Sequence, residues 1–207
     1  MDLLGGKLAR LPGTAVECRQ AERAFGSGQV KVLEGPDATE QNVRAAIRGR
    51  RIVHLAAHGL LDESHENLFG AIALTPPPPG AGSPDNDGFL MLHEVHTLPL
   101  AGCELAVLSA CQTNVGPERP LEAGSTLAQA FLTAGAKRVV SSHWNVADAS
   151  TAELMGKFFE EVARSLKQGE PVNYALALKR ARKHIQSIDP WSSPYYWAPF
   201  VLIGPAQ

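Results

Sequence analysis

The spacing of apolar residues changes along this chain, and the changes mark out alternating helices and strands. Cys18, Ala21 and Phe25 recur at helical spacing behind Thr14 and Glu17, a pair three residues apart that suits a capping box, so the pattern predicts a short helix over 14–25. Val30–Leu33 reads as a strand. Asp37 and Glu40 repeat the capping pattern ahead of Val43, Ala46 and Ile47, which predicts a second helix ending near Gly49. The runs Ile52–Ala57 and Leu105–Ala110 are apolar except for His54 and Ser109. Such continuous runs suit strands covered on both faces, and both are expected at the centre of a sheet. Between them, positions 76–80 and 82 are all proline or glycine, so Thr75–Gly88 is expected to be a surface loop.

The alternation continues to the end of the sequence. Leu127, Ala130, Phe131 and Ala134 share a helical face that stops at Gly135, a left-handed cap, and Arg138–Ser142 follows as a strand. Ser150 and Glu153 are spaced to cap a helix carrying Met155, Phe158, Phe159, Val162 and Leu166. Pro171 opens a last helix bearing Tyr174, Leu178, Ala181 and Ile185, and Phe200–Ile203 closes the sheet. The predicted fold class is α/β, a mostly parallel sheet with helices on both faces, in which ligands gather at the carboxyl ends of strands. His58 and Cys111 both fall at such ends.

Composition narrows the class. A chain of 207 residues with 44% hydrophobic content can bury one sizeable core, so a single domain over residues 1–207 is expected. The net charge of −2, from 19 basic and 21 acidic residues, creates no overall field that would hold nucleic acid or an anionic membrane. Neither partner is implied. Three cysteines, Cys18, Cys103 and Cys111, are an odd number without repeated spacing, which argues against a disulfide framework and for a reducing, cytoplasmic location. The start of the chain lacks a basic segment followed by an apolar run, and no stretch approaches the roughly 20 apolar residues of a membrane helix.

Chemistry concentrates at His58 and Cys111. Neighbouring strands that deliver an imidazole and a thiol side by side provide what a cysteine nucleophile requires. A lone cysteine ending an apolar strand is more often a small core residue, and Cys18 and Cys103 keep that reading. His54, Ala56 and His58 share one strand face. Yet four positions of strand span roughly 13 Å at about 3.3 Å per residue, so His54 and His58 cannot chelate one metal. His54 is expected to be a hydrogen-bonded core residue. His93, His96 and Cys103 match no four-ligand zinc spacing, and the segment also contains Pro99 and Gly102, so no metal site is assigned.

Six segments in order carry a family resemblance. Leu-Pro-Gly-Thr (11–14), Ala-Thr-Glu (38–40), His-Leu-Ala-Ala-His-Gly (54–59), Leu-Ser-Ala-Cys-Gln-Thr (108–113), Ala-Gln-Ala-Phe-Leu-Thr-Ala-Gly-Ala (128–136) and Tyr-Tyr-Trp-Ala-Pro-Phe (195–200) together resemble the CHAT domain, a family of the caspase and separase clan. The resemblance implies a caspase-like three-layer α/β/α sandwich, a His58–Cys111 dyad, and peptide-bond hydrolysis without a cofactor. It also implies an oxyanion site built from the backbone N–H groups of Gly59 and Cys111, where the missing side chain of Gly59 leaves the approach open.

Specificity follows from a second stretch. Ser109-Ala110-Cys111 stands where caspases carry Gln-Ala-Cys, so a caspase preference for aspartate is not carried over. Separase-like relatives place an acidic residue shortly after a Ser-x-Trp strand end, where it pairs with a basic substrate side chain. Residues 142–148, Ser-His-Trp-Asn-Val-Ala-Asp, resemble that stretch, which puts Asp148, His143 and Trp144 at the substrate. His143 departs from the aliphatic residue more usual in the family. The competing expectations are that Asp148 serves a helix N-terminus and that Trp144 packs beneath the cleft.

The implied partners are a protein or peptide substrate and a regulatory domain or activator protein, because CHAT domains commonly end longer proteins, often behind helical repeats. No such repeat lies in this sequence, so an excised domain or a naturally short member is expected. The polar segment Thr113–Gly124, with Pro117, Arg119 and Pro120, is expected to be a loop that gates the site or is cut after Arg119. The expected activity is that of a cysteine endopeptidase, with a preference for basic residues through Asp148. Two alternatives stay open: an idle dyad on an adaptor module within a signalling assembly, and a hydrolase or transferase acting on a non-peptide ester.

Overall fold

The computed structural model describes residues 8–60, 70–109, 127–145 and 147–207. Its elements run α1 (Pro12–Phe25), α2 (Glu40–Ile47), β1 (Ile52–Ala56), β2 (His58–Leu60), β3 (Ala71–Ala73), β4 (Phe89–Met91), α3 (Leu92–Val95), β5 (Leu105–Ser109), α4 (Leu127–Thr133), β6 (Val139–Ser142), α5 (Asp148–Lys167), α6 (Tyr174–Gln186) and β7 (Phe200–Ile203). The main sheet has the order β1-β5-β6-β7. β1, β5 and β6 are parallel, and β7 closes the edge antiparallel to β6. A smaller antiparallel sheet, β2-β3-β4, branches from the end of β1.

Side-chain alternation on the central strands creates two cores. Leu105 and Val107 of β5 face a layer built from α1, α5 and α6, whose packing is dominated by Leu154, Phe158, Phe159, Val162, Leu178 and Ile185. Ala106 and Leu108 of the same strand face α2, α3 and α4, among Val43, Ile47, Leu127 and Phe131. Every residue of β5 is buried, as a strand covered on both faces must be. The result is a three-layer α/β/α sandwich with a mostly parallel central sheet, the architecture the sequence predicts. No helix among the described residues is long and apolar enough to cross a membrane.

Several local expectations are corrected. Val30–Leu33 joins no strand ladder among the described residues; Lys31 is exposed, and a short extended run becomes a strand only where a partner offers its backbone groups. β1 lies at the edge of the main sheet rather than its centre. Its burial alternates, with Val53 and Leu55 buried and Ile52, His54 and Ala56 half-buried. α1 begins at Pro12 with Leu11 as its N-cap, because proline at the first helical position has a suitable φ and no N–H to satisfy. Thr14 Oγ1 donates back to the Leu11 carbonyl at 2.8 Å, and Glu17 turns away from any capping box.

The other caps also shift. Thr39 caps α2 by accepting from Asn42 N–H at 3.3 Å, while the Glu40 carboxylate accepts from Asp87 and Gly88 N–H at 2.8 and 2.9 Å and so ties the proline-rich loop to the helix. α5 starts at Asp148, and Ser150 Oγ donates to the Ala147 carbonyl at 2.9 Å instead of capping. Asn173, not Pro171, sets the start of α6 by accepting from Leu176 N–H at 2.8 Å. Gly135, with φ +115°, terminates α4 as expected, and a side chain there would press on the backbone of Leu100 and Ala101.

Candidate active site

Parallel pairing aligns Ala56 of β1 with Ser109 of β5. Two positions further along the sequence stand His58 on one side and Cys111 on the other. Cys111, its backbone N–H in the expected oxyanion site, and the Thr113–Gly124 segment lie outside the described residues. His58 opens β2 and pairs with Ala73, and Gly59 pairs with Ile72, so both are pinned by the small sheet rather than carried on a free loop.

The imidazole of His58 is half-buried, and its Nε2 lies 2.6 Å from the carbonyl oxygen of Ala9. A carbonyl only accepts, so Nε2 carries the hydrogen and Nδ1 is left with its lone pair. The segment entering α1 thus selects the tautomer of His58. Nothing in the sequence marks Ala9 for this task, since every residue has a carbonyl.

A cavity of about 60 Å³ opens at the carboxyl ends of the parallel strands. Ala57 and Ser109 line it from the ends of β1 and β5, Ser142 and Trp144 from the end of β6, and Glu17 and Asp148 from α1 and α5. That location agrees with the general placement of ligand sites in open parallel sheets. Asp148 is half-buried and accepts the N–H of Gly13 at 2.5 Å. α1 has no acidic residue in its own first turn, so Asp148 supplies negative charge to the N-termini of both α1 and α5. The residue therefore serves helix ends and lines the cavity at once.

Trp144 is 36% exposed, lines the cavity, and donates Nε1–H to the Tyr195 carbonyl at 3.1 Å. It stands at the cavity rather than beneath it. His143 is exposed, its backbone N–H donates to the Pro199 carbonyl at 3.1 Å, and it does not line the cavity. Glu17, absent from the sequence-based candidates, is buried, and its Oε2 lies 2.9 Å from Nε2 of His54. His54 also meets the ring of Phe159 edge-on, with centroids 5.0 Å apart. It is thus a hydrogen-bonded core residue, as expected. The signal for Glu17 was its place on the inward face of an amphipathic helix.

The two described thiols are poor nucleophiles. Burial, followed by the charges of Glu34 and Glu17, pushes the Cys18 thiol up to about 12. Burial also raises the pKa of Cys103, whose Sγ donates to the Leu105 carbonyl at 3.3 Å. Both therefore stay protonated near neutral pH. His93 and His96 are exposed whereas Cys103 is buried, and no three His, Cys, Asp or Glu side chains among the described residues are grouped to hold a metal ion.

Comparison with known proteins extends these observations. Over 78 residues, 38% of the chain, the sequence is 37% identical to human Tetratricopeptide repeat protein 28, and the chain spans 3% of that protein's length. A family model of the CHAT domain matches residues 4–205, taking in the strand that leads to His58, the segment containing Cys111 and the stretch around Asp148. With the layered sheet and the match running almost from end to end, this chain belongs to the CHAT domain family, within the caspase-like clan.

Proposed function

We propose that the protein is a cysteine endopeptidase that uses Cys111 as nucleophile and His58 as acid and base, and that prefers a basic residue before the scissile bond. The observation that carries this reading is the hydrogen bond from His58 Nε2 to the Ala9 carbonyl, which leaves Nδ1 as the basic nitrogen. An imidazole held in one tautomer by a backbone acceptor is prepared for proton transfer rather than for a purely structural contact.

In this mechanism His58 Nδ1 takes the proton of the Cys111 thiol, and the thiolate attacks the substrate carbonyl carbon. The N–H groups of Gly59 and Cys111 receive the developing oxyanion. Collapse of the tetrahedral species breaks the C–N bond, with His58 returning its proton to the leaving amine. A water molecule then gives a proton to Nδ1 and attacks the thioester, and the acid product leaves as the thiol is restored. Asp148 is the residue assigned to the basic side chain. Glu17 lines the same cavity and, among the described residues, no Lys, Arg or His does, so a cation meets attraction from these walls. His143, which does not line the cavity, is assigned to the outer part of the substrate path.

A regulatory domain or activator protein belongs to this reading. The human relative is by its name a tetratricopeptide repeat protein, and such repeats stack as helical pairs that offer extended binding surfaces. A domain of that kind joined to this one is where we place control of the peptidase.

The test is digestion of a peptide library under reducing conditions by wild type, Cys111→Ala and His58→Ala, with cut sites identified by mass spectrometry. Wild type is expected to cut after Arg or Lys, Cys111→Ala to be inactive, and His58→Ala to lose roughly 10²–10⁴-fold. Cleavage that survives in Cys111→Ala would overturn the mechanism. Absence of both cleavage and Cys111 labelling by a peptidyl electrophile would assign the chain to the idle-dyad class.

A further inference from the structure

The cavity contains a second carboxylate, Glu17, to which the reading above gives no role in choosing between basic side chains. Glu17 is 1% exposed on the inward face of α1, a position where amphipathic helices place apolar side chains. Burying a carboxylate is costly unless something specific compensates it. His54 compensates part of that cost through its Nε2, at 2.9 Å, and a neutral imidazole can donate this bond without cancelling the charge.

Geometry links Glu17 to Asp148. Gly13 and Glu17 are four residues apart on α1 and so share a face, and Gly13 is the residue whose N–H meets Asp148. Glu17 thus lies about 5–6 Å, one helical turn, further along α1 than that contact. Both carboxylates line the same cavity. Ser109 Oγ, in the cavity wall, is buried and has no hydrogen-bond partner among the described residues, which leaves an acceptor unused.

Donor geometry distinguishes the two basic side chains. Arginine ends in a guanidinium. Its planar fork of N–H donors can reach two carboxylates and a hydroxyl in one pose, whereas an ammonium is a point donor on a flexible stem.

We propose that Glu17 is a second specificity-determining residue, which together with Asp148 makes the cavity select arginine over lysine on the acyl side of the scissile bond. This rests on the endopeptidase reading. His54 is its positioning partner.

The test uses two peptidyl acyloxymethyl ketones identical except for Arg or Lys next to the ketone, with labelling of the full chain followed by mass spectrometry. Wild type is expected to be labelled at Cys111 at least ten-fold faster by the Arg reagent. Glu17→Gln should bring that ratio to within about two-fold of one by slowing the Arg reagent alone. The double variant Glu17→Gln/His54→Gln, which replaces the buried pair by two amides, should do the same and retains the comparison if the single variant folds poorly. A wild-type ratio of one or less overturns the inference without any variant. Equal slowing of both reagents by Glu17→Gln, the sign of a merely structural role, overturns it too, as does an unchanged ratio; in each case the endopeptidase reading stands. No labelling of Cys111 by either reagent removes that reading and the inference with it.

Discussion

Gly13 donates its N–H to the Asp148 carboxylate at 2.5 Å, so the first turn of α1 is closed by a side chain from the first turn of α5, 135 positions away. The contact joins two helix N-termini whose dipoles would otherwise point uncompensated at one place. It also holds Asp148 at the edge of the cavity.

Substitutions at Asp148 should separate its two tasks. Asp148→Ala removes both the acceptor and the charge, and an equilibrium urea titration should show a loss of about 0.5–2 kcal/mol, typical of a lost helix cap. Asp148→Asn keeps an acceptor for Gly13 and should retain most of that stability, yet lose the preference for basic substrates. Gly13→Ala should be destabilising as well, because a Cβ there would overlap the Asp148 side chain.

Thiol reactivity should single out one cysteine. Cys18, held at about 12, and Cys103, raised by burial, are protonated at pH 8, and thiols react as thiolates. Treatment of the native protein with iodoacetamide at pH 8 should give one dominant adduct, on Cys111, by peptide mass spectrometry. Prior denaturation should expose all three.

The imidazole of His58 should report its tautomer directly. With Nε2–H given to the Ala9 carbonyl, nitrogen NMR of the neutral ring should show the proton on Nε2 and an unprotonated Nδ1. The opposite assignment would remove the basis for Nδ1 as the base.

Acid should weaken the fold through Glu161 and Glu104. Burial opposes the charge of Glu161, but a hydrogen bond from Arg180 and the charges of Arg164 and Lys157 outweigh it and depress its pKa. Glu104 is depressed likewise, with Arg51 and Tyr174 overcoming burial. A depressed carboxylate contributes stability that is fully present above the unfolded pKa of about 4.3 and is lost as pH falls through the lower folded value. Glu161→Gln should therefore destabilise at pH 7, and the difference from wild type should shrink as pH falls below about 4.3 and through the depressed folded value. Glu40 has the opposite sign. Burial raises its pKa against the Gly88 hydrogen bond, and the nearby Glu94 charge adds to the rise. Its contribution is present below about 4.3 and lost as pH rises through the folded value. Glu40→Gln, which keeps an acceptor for Asp87 and Gly88, should be at least as stable as wild type at pH 7. Urea titrations at pH 7 and at a series of lower pH values through and below the usual carboxylate range check both signs.

Periodicity located most helices and strands because burial imposes its repeat on neighbouring residues. The inward residues of α5 and the unbroken apolar run of β5 are local patterns that any sheet covered on both faces must satisfy. The order of elements was legible for the same reason. Pairing was less so: β1 reads like a central strand but lies at an edge, and Val30–Leu33 reads like a strand but pairs with none among the described residues.

The capping residues show where local reading stops. Thr14 and Glu17 have the spacing of a capping box, yet Glu17 bonds to His54, 37 positions away, and the helix end is served by Asp148. A carboxylate goes where donors converge, and sequence spacing describes only the donors of its own segment. The Ala9 carbonyl at His58 and the paired carboxylates of the cavity arise in the same way, from segments distant in sequence. The sequence by itself determined the layered α/β class, the family and the residue types available for chemistry, because these reside in short-range pattern and motif order. Only the tertiary structure decided which partner each polar group takes, because a buried donor or acceptor must be satisfied by whatever the fold brings within 3 Å of it.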